Sequence, residues 1–178
     1  MGILVKQKPV KLAVSIIFKD EDCRWRAEEC LVKKYGKVEP VNTILPFDFT
    51  DYYSEEFGEP LKRQLMCFKR LVDNEKIYKI KLETNKIEDS FKKNGKRVVN
   101  IDPGYVTKAK LVLLSTKDYS HRVYIGGKIF AEITLFFQGG TFKSHPWTYP
   151  DYASQEIVSY FNKVRAIYRD EIKNNHVY

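Results

Sequence analysis

The sequence predicts an α+β fold: a mixed or mainly antiparallel sheet with helices packed on it. Three observations lead there. Strand-like runs come in adjacent groups rather than in strict alternation with helices. Apolar residues recur at helical spacing in two stretches between those groups and in a third that closes the chain. A Gly126-Gly127 pair splits two apolar-patterned runs, which marks a tight hairpin. The order is strand, helix, strand, strand, helix, strand, then a strand, a hairpin and a closing helix. It suggests a ferredoxin-like core (βαββαβ) with an added hairpin and a C-terminal helix. A chain of 178 residues suits one domain, 1–178, with a proper core.

The elements follow in order. Residues 11–18, KLAVSIIF, are a short apolar run rich in branched residues and read as a buried strand. Asp20 or Asp22 caps the next helix, 22–35, whose acidic start suits the helix dipole. Ala27, Cys30, Leu31 and Tyr35 share its inner face, and Gly36 ends it. Residues 38–47 are extended up to Pro46, and 49–60 form a loop of paired tyrosines and acids. Residues 61–72 fit either a helix or a strand, and the order of elements favours a strand. Residues 74–93 repeat Ile77, Ile80, Ile87 and Phe91 at helical spacing, with Asp73 as a cap and Asn94-Gly95 as a stop.

Residues 98–101 form a strand. Asp102-Pro103-Gly104-Tyr105 then reads as a type II turn, with proline at the second position and glycine at the third. Residues 110–115 form another buried strand. The hairpin arms are 121–125 and 128–137. Gly139-Gly140 opens a loop through His145, Trp147 and Tyr149, whose aromatics suit either stacking on a ligand ring or pinning the loop to the core. A final helix at 152–173 carries Ile157, Phe161, Val164 and Tyr168 as its core stripe.

Composition narrows the function classes. Apolar residues make up 43% and charged residues 30%, with both signs interleaved, so the chain folds rather than staying disordered. The net charge of +8 favours polyanions such as nucleotides or nucleic acid. Three cysteines, Cys23, Cys30 and Cys67, lack paired spacing and read as reduced thiols in a cytoplasmic protein; Cys23 and Cys30 lie two turns apart on one helix face. The longest apolar runs are too short to span a bilayer, so no membrane partner is expected. Phosphate-loop, dinucleotide-fingerprint, nucleophile-elbow, zincin and zinc-finger patterns are all missing from the sequence.

The candidate site comes from the hairpin. A two-residue turn at 126–127 sets Ile125 against Lys128, Val123 against Phe130 and His121 against Glu132. The last pair then has Cβ atoms about 4.5–5.5 Å apart, with Thr134 on the same face. Arg122 points to the other face, opposite Ala131. A histidine facing a carboxylate is an acid–base pair, half of a metal site, or a simple ion pair that fixes the register. The preceding loop carries Thr116, Lys117 and Asp118, a set that holds a phosphate through hydroxyl, ammonium and backbone N–H groups, or is merely solvated. Lys81 and Arg122 are further cations for phosphate. Asp102 and Asp118 are candidate ligands for a divalent metal, although an Asp opening a turn commonly bonds its own backbone.

The segments NIDPGY, STKDYSHR, IFAEITL and HPWTYPDY, with PFDFTDYYSEEFG and KLETNKIE, resemble a family of uncharacterised bacterial proteins, domain of unknown function 4416. Its members often carry the label "GTP-binding protein". The resemblance covers nearly the whole chain and implies no catalytic residues. The GTP label fails on the residues here. The phosphate loop is missing, Asp102 and Gly104 have one residue between them where D-x-x-G has two, and Thr116-Lys117-Asp118 lacks the spacer of [NT]-K-x-D. A conventional P-loop GTPase is therefore excluded.

Three readings remain. The first is a small enzyme or binding protein for a nucleotide or other phosphorylated metabolite, with His121 and Glu132 moving a proton or holding a divalent metal. The second is an RNA-binding module, which suits a basic sheet surface with exposed aromatics. The third is a non-catalytic assembly protein.

Overall fold

The structure is a computed structural model and describes residue 3, residues 7–48 and residues 54–174. One sheet of eight strands runs through it. β1 (Val10–Phe18) is followed by α1 (Glu21–Tyr35), β2 (Thr43–Pro46), a single helical turn α2 (Ser54–Phe57) and β3 (Lys62–Val72). Then come α3 (Tyr78–Ser90), β4 (Val99–Val106), β5 (Lys110–Ser115), β6 (Val123–Gly126), β7 (Ile129–Gln138), β8 (Thr141–Ser144) and α4 (Gln155–Asn174). The strand order is β2-β3-β1-β4-β5-β7-β6, with β8 on the other part of β7, and every pairing is antiparallel. The first four strands, with α1 and α3, have the order and pairing of the ferredoxin-like arrangement expected above, so 61–72 is a strand.

All nine residues of β1 are buried because the sheet is covered on both faces. Val10, Leu12, Val14, Ile16 and Phe18 pack with Cys23, Ala27, Leu31 and Tyr35 of α1 and Ile80 of α3. Ala13 of β1 packs on the opposite face with Leu65, Cys67 and the α4 residues Ile157, Tyr160, Phe161 and Val164. Fully burying an aliphatic or aromatic side chain stabilises by about 1.5–3 kcal/mol, so these two interfaces set the fold. Both helical stripes arise as expected, with one correction. Cys30 is exposed, although it lies only about 20° around the helix from the buried Cys23, so it drops out of the core stripe. The buried row 23, 27, 31, 35 follows i, i+4 steps, which drift about 40° each and leave position 30 behind. Asp20 caps α1 by accepting from the Cys23 N–H at 3.0 Å.

Three turn readings are corrected. The chain does not turn at Asp102-Pro103-Gly104; β4 runs straight through them. The hairpin turn lies one residue further on than expected, at Gly127 and Lys128, with φ of 60° and 63°. Gly126 pairs with Ile129, and Ile125 is an extra residue in the ladder, so Val123 faces Ala131. Gly139-Gly140 closes a second hairpin rather than opening a loop, since Gln138 pairs with Thr141 and both glycines have positive φ. Residues 49–53 of the expected 49–60 loop lie outside the described residues. Among the described residues, no helix is long and apolar enough to cross a membrane.

Pro103 shapes the sheet instead of turning the chain. β4 and β5 pair only from Gly104 to Val106 against Leu111 to Leu113. Below that, Ile101 sends its N–H to a side chain of α3 rather than to β1. Backbone groups two residues apart point to the same side of a strand, so Pro103 stands on the β5 side with no N–H to donate. The ladder stops there and the two strands diverge. Gly104 marks the last close approach: a Cβ on it would lie 2.4 Å from the Val112 carbonyl oxygen. The sheet therefore forks between β4 and β5.

Candidate functional site

Two α3 side chains replace the strand missing from the fork. Lys81 and Glu88 lie seven residues apart, two turns along one helix face. Lys81 Nζ donates to the Ile101 carbonyl oxygen at 3.0 Å and to Asp102 Oδ1 at 3.0 Å. Glu88 Oε1 accepts from the Ile101 N–H at 2.5 Å. Both backbone groups of Ile101 are thus satisfied without β5. Asn100 Nδ2 donates to the other oxygen of Asp102 at 2.6 Å. Burial acts to raise the Asp102 carboxyl, but Lys81 and Asn100 outweigh it and hold that carboxyl below its ordinary value. Burial pushes Glu88 up to about 7, against the pull of Lys81 and the Ile101 N–H.

A cavity of about 520 Å³ opens at this fork. α3 and β4 supply Lys81, Glu88, Asn100 and Asp102. β5 and the loop after it supply Leu113 to Lys117, and Tyr119 and Tyr149 stand at its side. Its far wall holds a residue the sequence reading missed. Arg63 of β3 is 6% exposed and shares strand parity with the buried Leu65 and Cys67. Its guanidinium sits 4.6 Å from the Phe47 ring centroid and 4.8 Å from that of Tyr152, and it pairs with Asp151. Its Nε is buried and has no hydrogen-bond partner. Contact with two rings favours arginine over lysine, whose ammonium is more strongly hydrated. The detectable signal was a cation on the apolar parity of a buried strand.

The residues singled out from the sequence are placed as follows. His121 Nε2 lies 3.0 Å from Glu132 Oε2, although the register behind that expectation was wrong. The same oxygen accepts from Arg122 Nε at 2.7 Å, and Glu132 Oε1 accepts from Thr134 Oγ1 at 3.2 Å. Arg122 is therefore on the Glu132 face and not opposite Ala131, because the extra residue at Ile125 shifts the arm by one. Its remaining nitrogens donate to Ser115 Oγ, the Lys117 carbonyl oxygen and the Tyr149 hydroxyl, and its guanidinium covers the Tyr119 ring at 4.4 Å. These bonds tie the 116–122 loop, β7 and the approach to α4 into one wall of the cavity.

Thr116 and Lys117 line that cavity, as do Arg122 and Glu132. His121 lies outside it and stacks on Trp147 at 5.7 Å, and Trp147 stacks on His145 at 4.5 Å. Trp147 Nε1 donates to the Ile133 carbonyl oxygen, so this aromatic row pins its loop to β7. Asp118 is exposed and is not brought to Asp102, which is bonded to Lys81 and Asn100. Among the described residues, no three His, Cys, Asp or Glu side chains converge in a way that holds a metal ion.

The site's charges are largely matched in pairs: Lys81 with Asp102, Arg63 with Asp151, Arg122 with Glu132, and Arg97 with Glu56. Such a wall is polar, and its charged side chains hold one another in place through these pairs. The family model described as a domain of unknown function, DUF4416, matches residues 8–168. No curated protein matches the chain, and no solved structure does.

Proposed function

The chain belongs to the DUF4416 family, and we propose that its forked-sheet cleft binds a small phosphorylated molecule, a nucleotide or a sugar phosphate. One observation carries this reading. A buried guanidinium, Arg63, packs against two rings at the cleft wall and keeps an unused Nε donor. A buried donor without a partner costs about 1–3 kcal/mol, and a ligand oxygen that met it after a small shift of the side chain into the cleft would remove that cost. The volume of about 520 Å³ lies within the range of about 300–1,000 Å³ usual for small-molecule sites. Lys117 and Thr116 at the rim suit a second phosphate oxygen, and the half-exposed rings of Tyr119 and Tyr149 suit a base or sugar face. In this reading His121, Glu132 and Arg122 hold the rim loop in place.

A thermal-shift panel of nucleotides, sugar phosphates and orthophosphate tests it. At about 100 times its dissociation constant a ligand stabilises by about 2.7 kcal/mol, enough to raise Tm by several degrees. The rise is expected in the native protein and should vanish in Arg63→Lys, which keeps the charge but loses the planar fork. Unchanged melting across the whole panel would remove the reading.

A second reading has one observation in its favour. Tyr124, Trp147 and Tyr149 are exposed on a protein of net charge +8, as in a stacking platform for RNA. It predicts binding that weakens steeply with salt and is indifferent to Arg63.

A further inference from the structure

Five charged side chains alternate in sign across the floor of the fork: Glu88, Lys81, Asp102, Arg63 and Asp151. Lys81 bonds Asp102, Arg63 pairs with Asp151, and Asp102 feels the Arg63 charge as well. Along this row three carboxyls alternate with two cations, and a third cation, Arg97, stands near the end member. Glu88 is the end member. Its residue is 6% exposed, one oxygen is fixed on the Ile101 N–H, and it faces the cleft.

We propose that Glu88 is a proton-binding group coupled to this cleft: its carboxylate takes up a solvent proton when an anion enters and releases it when the anion leaves. This rests on the reading of the cleft as an anion site and adds its linkage to pH. The charges facing Glu88 are Lys81 from its own helix, Asp102 from β4 and Arg97 from the segment before β4. Lys81 and Arg97 favour the carboxylate, and Asp102 opposes it. Burial dominates and brings the group to about 7, where a modest added charge shifts its occupancy. An anion supplies that charge with the sign that favours the proton. A carboxyl poised in this way, in contact with the ligand's space, is also equipped to hand the proton to a ligand oxygen and return to carboxylate.

Sulfate is the probe, because it stays dianionic across the neutral range and adds no titration of its own. Carboxyl carbon NMR of the glutamate-labelled protein, titrated with and without sulfate, reads Glu88 directly. The expected result is a midpoint near neutrality that moves upward with sulfate. The apparent sulfate affinity should fall by up to about tenfold for each pH unit above that midpoint, and should lose this dependence in Glu88→Gln. The amide side chain of that variant keeps an acceptor for the Ile101 N–H, and the NMR arm on the native chain stands whether or not the variant folds. A midpoint in the ordinary glutamate range overturns the proposal. A midpoint near neutrality that sulfate leaves unmoved, while signals around Arg63 shift, overturns the coupling and spares the anion site. Sulfate that shifts nothing in the cleft overturns both.

Discussion

Arg63→Ala is expected to destabilise the protein by about 3–5 kcal/mol, measured by denaturant unfolding, and to abolish stabilisation by any phosphorylated ligand. The magnitude follows from what the substitution leaves behind. Asp151 is 4% exposed, and its carboxylate loses the cation that offsets its desolvation. Phe47 and Tyr152 lose the guanidinium that packs against both, and a void opens between two clusters of the core. Pairing Arg63→Ala with Asp151→Asn separates these effects, because it removes the stranded charge and leaves only the void. The double variant should recover part of the lost stability and none of the ligand response. A single variant as stable as the native protein would mean that the pair is not buried as described.

The second large effect concerns the other end of β1. Lys11 is fully buried, and its Nζ donates to Glu39 at 3.0 Å, Glu171 at 2.6 Å and the Lys69 carbonyl oxygen at 3.2 Å. This one ammonium joins β1, the segment before β2, β3 and the last turns of α4. Lys11→Ala strands two carboxylates, and Glu171 Oε2 is already buried with no hydrogen-bond partner. A loss of about 3–5 kcal/mol is expected in denaturant unfolding. The triple change Lys11→Met, Glu39→Gln, Glu171→Leu replaces all three charges and should restore most of that loss, because the cost lies in unpaired charge and not in missing attraction. The site is far from the fork in chain order and shares no partner with it, so ligand response should survive. A Lys11→Ala protein of native stability would contradict the burial of the triad.

The strands and helices that form the core were legible because each carries its own period. β1 has an unbroken apolar run, α4 a stripe at 157, 161, 164 and 168, and α3 a helical repeat, although Asp73 caps the short 3-10 turn before it and not α3 itself. The element order then gave the ferredoxin-like half. The turns were less legible because local chemistry was overruled by tertiary context. Asp-Pro-Gly has every mark of a turn, yet here the proline ends a ladder inside a strand. Lys128 adopts φ 63°, a conformation glycine usually signals, so the hairpin turn fell one residue from the glycine pair.

The site divides in the same way. His121 and Glu132 are eleven residues apart, and hairpin geometry alone brought them near each other. Lys81 and Asp102 were both singled out, but for unrelated reasons, and their ion pair depends on α3 packing over the fork. Arg63, Asp151 and Glu88 come from three distant segments with no shared motif, so nothing local marks their convergence. Glu88 sits in the run KIED, where a glutamate reads as a solvated helix face. Only the missing strand beside Ile101 gives it a buried task.

Chemical-shift mapping is the most direct test of the forked cleft. It should be run with whichever nucleotide or sugar phosphate raises Tm most. The expected perturbations fall on the Arg63 side chain, on backbone amides 113–117 and on Lys81. Shifts confined to the outer face around Tyr124 and Trp147, with Arg63 and residues 113–117 unmoved, would contradict the cleft as the binding site and favour the exposed aromatic surface instead.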